Sequence, residues 1–172
     1  STRALTDLGS TLWSAVGSAE FAALSTSQLA ALGSAPLASA QLDTLTSSEL
    51  AVLSSRTIAS IAPTAFATLD TTQLAGLTSG QASALTTAQI AALNSTQFDG
   101  LTSAAIGALT SAQLRALTSD TFASLSTSQI TAINTRAFAG LASAQIAALS
   151  SEQIGSLTTA LLALLSSAAV AG

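Results

Sequence analysis

Residues Thr86–Leu93 read TTAQIAAL, and variants of this octapeptide fill the chain on both sides of them. From residue 42 onward a large apolar residue, here called the anchor, recurs every eight positions, with Ala82 as the one exception. A second apolar residue follows each anchor by three positions, as Leu93 follows Ile90. The anchors are Leu42, Leu50, Ile58, Phe66, Leu74, Ile90, Phe98, Ile106, Leu114, Phe122, Ile130, Phe138, Ile146, Ile154 and Leu162. An internal repeat of this regularity predicts a solenoid, in which each repeat packs on its neighbours.

Each octapeptide carries the signals that start a helix. Four positions before the anchor stands Ser, Thr, Asn or Asp in most units, and these residues cap helix N-termini. In about half of the units Gln or Glu stands immediately before the anchor, so that Thr86 and Gln89 form a predicted capping box. Leu85 and Ile90 have the spacing of a hydrophobic staple, and Pro63 occupies a first helical position, which Pro favours. We therefore predict one short helix per octapeptide.

A single continuous helix does not fit the octapeptide period. Eight residues turn through about 800°, which would leave successive apolar pairs about 80° apart around one helix. Separate helices of about one and a half turns are too short to be stable alone, since isolated helices need roughly 12 residues. The sequence therefore predicts an all-α solenoid of very short capped helices, with stability that is cooperative along the stack.

A β-solenoid is the structural alternative. Short Thr-rich repeats with inward aliphatic residues also describe stacked β-coils. Abundant Ala and Gln, scarce Val, and apolar spacings of three and then five residues favour helices instead.

The whole chain, residues 1–172, is predicted to form one octapeptide-repeat solenoid with a phase slip near residues 37–42. The anchors that precede the slip also follow the period of eight, and they are Leu5, Trp13, Phe21, Leu29 and Leu37. The step from Leu37 to Leu42 is only five residues, so three residues are missing from one repeat.

The charged residues suggest a second period. Asp120, Arg136 and Glu152 each stand two positions before an anchor and follow one another at intervals of sixteen. This recurrence predicts two octapeptides per solenoid turn. On that geometry the three charges would form an acid–base–acid ladder along one edge, exposed and worth at most about 1 kcal/mol per pair.

The composition argues against catalysis. Only 7% of the residues are charged, and the chain contains no His, Cys, Met, Tyr or Lys. Its many hydroxyl groups therefore lack a side-chain base that would make them nucleophilic. The eight acidic residues are spread singly, without the clustering that a metal site or a carboxylate dyad requires. We predict that the chain is not an enzyme and has no cofactor, metal site or small-molecule substrate.

Charge and hydropathy also bear on the partners. The net charge is −4 and the four Arg are scattered, which argues against a nucleic-acid partner.

The uncharged stretch from Gln153 to Gly172 is interrupted by Ser and Thr, and its apolar run Ala160–Leu165 is too short to span a membrane.

The chain contains one sequon for N-linked glycosylation, Asn94-Ser95-Thr96. Because Asn94 stands at a cap position, we interpret the motif as structural. Most of the remaining Ser and Thr are interpreted in the same way.

Three strings are close to one consensus: Leu85–Leu93, Leu109–Leu117 and Leu141–Leu149. They resemble the L-T-T-A-Q-I-A-A-L octapeptide arrays of large secreted or surface-exposed bacterial proteins. The resemblance implies a spacer, a stalk or an adhesive segment, and it supplies no catalytic residues.

We therefore expect a structural protein, secreted or at the cell surface, that acts as a self-assembling filament subunit or a stalk. Low charge weakens repulsion between copies, and an open solenoid has two uncovered ends. The alternative is an adhesive or ice-binding module, because regularly spaced Ser and Thr could form ladders along a rigid rod.

The ends supply the candidate assembly contacts. In Thr158–Leu165 the unit becomes TTALLALL, which adds large apolar residues where other units have Gln or a small residue. Terminal repeats of a monomeric solenoid are expected to be polar, so this composition predicts a head-to-tail contact between copies. The predicted contact residues are Leu12, Trp13, Leu161, Leu162, Leu164 and Leu165.

Overall fold

The computed structural model describes residues 16–34 and 36–170, with side chains up to Leu165. All regular elements in these ranges are α-helices, so the predicted all-α solenoid is confirmed and the β-solenoid alternative is excluded for this part of the chain. The helices are α1 Ser18–Ala22, α2 Thr26–Ala30, α3 Ser39–Leu42, α4 Ser47–Val52, α5 Ser55–Ser60, α6 Pro63–Phe66, α7 Thr71–Ala75, α8 Ser79–Ala84, α9 Thr87–Ala92, α10 Ser95–Asp99, α11 Ser103–Gly107, α12 Ser111–Arg115, α13 Ser119–Ala123, α14 Thr127–Ala132, α15 Thr135–Ala139, α16 Ser143–Ala147, α17 Ser151–Ser156 and α18 Thr159–Val170.

The capping pattern explains why each octapeptide forms its own helix. At the start of α9, the backbone N–H of Gln89 donates to Oγ1 of Thr86 (3.1 Å), and the N–H of Thr86 donates to Oε1 of Gln89 (2.8 Å). At the other end, Leu93 adopts an extended conformation while its N–H bonds to the carbonyl of Ile90. The predicted capping box is confirmed, and one residue separates the end of a helix from the next cap.

Three octapeptides make one turn of the solenoid. Each helix from α3 onward contacts the helix three places later in the chain, as α5 contacts α8, and α8 contacts α11. Consecutive helices therefore form the three sides of a turn, and each side continues along the solenoid as a column of stacked helices. The last helix, α18, stacks on α15 in the same way.

The prediction of two octapeptides per turn is therefore wrong. Asp120, Arg136 and Glu152 lie in α13, α15 and α17, which belong to three different columns, so they do not form a charge ladder. All three side chains are exposed. Since packing places little constraint on exposed positions, the interval of sixteen between these charges does not report the geometry of the turn.

The anchors of successive turns form one continuous core. From Leu42 to Phe138 every anchor is at most 1% exposed, and Ala82, which breaks the apolar series, is also fully buried. The second apolar residue of each unit lines the same core, as Leu53 and Leu109 do.

Buried glutamine side chains join one turn to the next. Nε2 of Gln89 donates to the carbonyls of Ile58 (2.8 Å) and Ile61 (2.9 Å), which lie at the joint between α5 and α6, directly below. The last carbonyls of a helix lack a partner four residues on, and the carbonyl of Ile58, which accepts from the N–H of Ile61 (3.3 Å), keeps a second lone pair for Gln89. The amide of Gln89, which is 0% exposed, thus bonds to end groups of helices in two turns. The same pair of roles is filled by Gln73, Gln81, Gln97, Gln113, Gln129, Gln145 and Gln153. We call this series the glutamine ladder.

In α5 and α15, where the third helical residue is not Gln, a different side chain makes the contact between turns. In α15 that residue is Ala137, and the cap residue Asn134 donates from Nδ2 to the carbonyls of Gly107 (3.0 Å) and Leu109 (3.2 Å). In α5 the hydroxyl of Thr57 donates to the carbonyl of Gly33. In these two helices another polar side chain therefore bonds to the turn below.

The phase slip coincides with a missing helix. Residues 33, 34 and 36–38 form no helix, and Gly33 turns the chain with a φ of 61°. Leu37 is nevertheless buried at 2% exposure. Because one unit contributes no helix, α1 stacks on α3 and α2 stacks on α4. The shortened unit still delivers its anchor to the core.

Replacing a core anchor should be far more costly than replacing an anchor of the last turn. Ile130 is 0% exposed and Ile154 is 40% exposed. We expect Ile130→Ala to lower the free energy of unfolding by about 2–5 kcal/mol through lost burial and a cavity. Ile154→Ala, the matched control, should cost well under half as much in urea denaturation followed by circular dichroism. Equal losses would contradict this account of the core.

Close contact between stacked helices leaves no room for a side chain at Gly76. A Cβ at Gly76 would lie 2.4 Å from the backbone oxygen of Ser47 in the helix below, whereas a Cβ at Gly155 would meet nothing within 4 Å. Gly76→Ala should lower stability by about 1–3 kcal/mol through overpacking. Gly155→Ala should raise it by about 0.5–1 kcal/mol, since Ala is the better helix former. Thermal denaturation of the two variants would check the opposite signs.

Removing one donor of the glutamine ladder should weaken the stack. Gln89→Glu keeps the acceptor for the N–H of Thr86, but it removes the donor to the carbonyls of Ile58 and Ile61 and places a charge at a buried position. We expect a loss of at least about 2 kcal/mol in urea denaturation. Gln28 is the control, because its Oε1 accepts from Ser25 (2.8 Å) while its Nε2 donates no hydrogen bond within the described residues. If Gln28→Glu costs as much as Gln89→Glu, the ladder does not stabilise the stack.

Candidate functional site

The last turn of the solenoid exposes apolar side chains that every interior turn buries. This turn consists of α16, α17 and α18, and we call the surface formed by its anchors Ile146, Ile154 and Leu162 the C-terminal layer. Ile154 and Leu162 are each 40% exposed, and Ile146 is half-buried. Within the described residues no further turn stacks on them. Among the described residues, the C-terminal layer is therefore a surface of the kind that packs against the next turn in the interior of the stack, but here no next turn covers it.

The backbone of the C-terminal layer also matches an interior turn. The carbonyls of Ile146 and Ile154 accept from the N–H groups of Leu149 and Leu157, as carbonyls do at the end of each short helix. No glutamine of the described residues reaches them from above. Since a carbonyl has two lone pairs, each keeps the capacity to accept a second hydrogen bond.

The structure separates the residues that the sequence suggested for assembly. Leu162 lies on the C-terminal layer, whereas Leu161 is only 2% exposed and belongs to the core. Leu164 and Leu165 are half-buried and pack against the core. Leu12 and Trp13 lie outside the described residues, so their prediction as contact residues is not tested.

Sequence reasoning missed Ile154. Its unit, Ser150–Leu157, follows the repeat consensus, and a consensus anchor is predicted to be buried. The exposure of Ile154 arises from its place in the stack, because an anchor is covered by the turn above as well as by its own turn. The sequence signal that could have predicted this exposure was the position of Ile154 in the series, since Ile146, Ile154 and Leu162 are the last three anchors of the given sequence.

The cap hydroxyls of the rod are largely engaged in hydrogen bonds. Oγ1 of Thr110 donates to Oε1 of Gln113 (2.9 Å) and accepts from the N–H of Gln113 (3.3 Å). Thr78 and Thr86 make the same pair of contacts. These hydroxyls hold the helix starts, as the interpretation of Ser and Thr as caps predicts.

The described surface shows few features suited to chemistry. No group of three or more acidic residues in residues 16–34 and 36–170 is placed to hold a metal ion. A groove of about 330 Å³ between α4 and α7 is lined by uncharged residues, which include Ser48, Thr72 and Gly76. Among the helices described, none is both long and apolar enough to cross a membrane.

Comparison with known proteins identifies the repeat. The family model of the ALTTAQ repeat matches residues 83–111, 90–127 and 122–167, which overlap into one stretch. No curated protein and no solved structure matches the chain.

The matched stretch runs from the end of α8 into α18 and contains a continuous part of the glutamine ladder. The octapeptides in this stretch are the ones whose resemblance to known repeat arrays was noted in the sequence. The expected repeat array is therefore confirmed for residues 83–167. Residues 83–167 of this chain, just under half of its length, therefore match the model of the ALTTAQ repeat family.

Proposed function

We propose that this chain is a structural rod that binds further copies of itself end to end through the C-terminal layer. The observation that carries the proposal is the exposure of Ile154 and Leu162, which occupy positions that are fully buried in the interior turns. Fully burying an exposed Ile or Leu side chain is favourable by about 1.5–3 kcal/mol, and covering the 40% of each that is exposed would contribute a corresponding fraction. A second copy is the occupant we propose, because the layer continues the interface that already joins the turns of one chain.

The contact is proposed to be head-to-tail. The two ends of a solenoid are different surfaces, so a contact between them does not close and extends into a filament. A net charge of −4 on 172 residues opposes such stacking only weakly.

The rod itself suits a structural role. Its core and its glutamine ladder run from turn to turn, so that each turn is held by the turns next to it. An extracellular or cell-surface location is part of the proposal and rests on the resemblance to secreted and surface-exposed arrays. Such a rod suits both a filament subunit and a stalk. The two roles differ in whether copies of the chain assemble end to end, as a filament subunit must.

Assembly should depend on the C-terminal layer. The double variant Ile154→Gln/Leu162→Gln should remain folded and monomeric at concentrations at which the parent forms filaments, because it removes the apolar surface. Sedimentation velocity and negative-stain electron microscopy would measure this. The matched control is Val52→Gln, since Val52 is 37% exposed on the side of the rod in α4.

Three outcomes would count against the proposal. A parent chain that stays monomeric at all concentrations would contradict assembly, and discrete dimers would contradict a head-to-tail contact. Loss of assembly in Val52→Gln as well would show that the contact does not reside in the C-terminal layer.

A further inference from the structure

The cap residue Asn94 uses only one of its two side-chain polar atoms. Its Oδ1 accepts from the N–H of Gln97 (2.9 Å), while the N–H of Asn94 donates to Oε1 of Gln97 (3.1 Å). Nδ2 of Asn94 donates no hydrogen bond within the described residues. Gln97 makes the contact to the turn below, through the carbonyls of Ala67 and Leu69, so that contact does not require Asn94.

We propose that Asn94 of the folded rod is an acceptor for an N-linked sugar. The sequence Asn94-Ser95-Thr96 supplies the sequon, and all three side chains are exposed. Capping therefore does not compete with modification, because the cap needs Oδ1 and the sugar is attached to Nδ2. The predicted role of Asn94 as a helix cap is confirmed, and the proposal adds a second role to the same side chain.

The surroundings of Asn94 leave room for a sugar. Asn94 lies at a joint between two sides of the turn, with an extended backbone at φ −80° and ψ 171°. The cap residues of the adjacent turns in the same column, Asp70 and Thr118, are also exposed. An open groove of about 200 Å³ beside α10 is lined by Ser95, Thr96, Asp99 and Ser124.

Asn134 provides the internal contrast. It is an exposed cap like Asn94, and its Oδ1 accepts from the N–H of Ala137 (2.8 Å). Its Nδ2 is engaged, because it donates to the carbonyls of Gly107 and Leu109 in the turn below. Arg136 in the third position also breaks the sequon. The two cap asparagines therefore differ at Nδ2, the atom that glycosylation needs to be free.

The transfer requires an activated sugar such as a nucleoside-diphosphate hexose. A bond forms between Nδ2 of Asn94 and C1 of the hexose, and the bond between C1 and the phosphate oxygen breaks. The nucleoside diphosphate leaves with the electron pair, and Nδ2 gives up one proton to a base of the transferase. The remaining N–H and Oδ1 stay on the side chain, so the cap persists.

The test is glycosylation of the folded protein in vitro. The purified chain would be incubated with a soluble N-glycosyltransferase specific for the sequon and with UDP-glucose, and then analysed by intact mass and peptide mapping. We expect one hexose on Asn94 and an unchanged thermal midpoint. Asn94→Asp should take none and stay folded, since Asp70 already caps α7 by accepting from Gln73 (2.8 Å).

A second sequon tests the role of the free amide. Arg136→Thr creates a sequon at Asn134, whose Nδ2 must first leave two carbonyls. In the folded variant Asn134 should react about tenfold or more slowly than Asn94, and in urea-unfolded chain the two should react alike. The proposal is overturned if folded parent protein takes no sugar at Asn94, or if folded Arg136→Thr reacts at Asn134 as fast as at Asn94.

Discussion

The buried glutamine amide at the third helical position is the interaction on which the stack depends. Most backbone polar groups in a helix of five or six residues lie in its first or last turn, where the regular bonds between residues four apart are incomplete. In α9, Gln89 bonds to the N–H of its own cap and to two carbonyls of the turn below. Because a buried polar group without a partner is costly, a helix and the joint beneath it are stable only together. The short helices therefore form as a stack.

The ladder also determines which polar atoms remain free on the surface. Where Gln stands at the third position, as Gln97 does in α10, the cap residue has no part in joining the turns. Where Ala137 replaces it in α15, Asn134 takes over the contact and its amide becomes occupied. Two residues of the same type at the same repeat position thus have different chemistry, because of one neighbour three residues away.

An interface that repeats along a chain leaves one half of itself at an end. Interior anchors such as Phe98 and Ile130 are covered by turns on both sides, whereas no described residue forms a turn above Ile154 and Leu162, which are each 40% exposed. The anchor-bearing face that packs turn against turn inside the solenoid is therefore the same kind of surface that we propose for assembly. On this proposal a second copy needs no separate binding site. It would stack on the first copy with the geometry that already relates one turn to the next.

The sequence by itself determined the local structure. Caps such as Thr86, the paired Gln89 and the spacing of Ile90 and Leu93 specify one helix per octapeptide, because these interactions act within eight residues. The number of octapeptides per turn was decided by the tertiary structure, since it depends on how three helices enclose a common core. Exposed charges such as Arg136 could not report it. The exposure of Ile154 likewise followed from its place in the stack, because burial of an anchor depends on a turn that lies far away in the sequence.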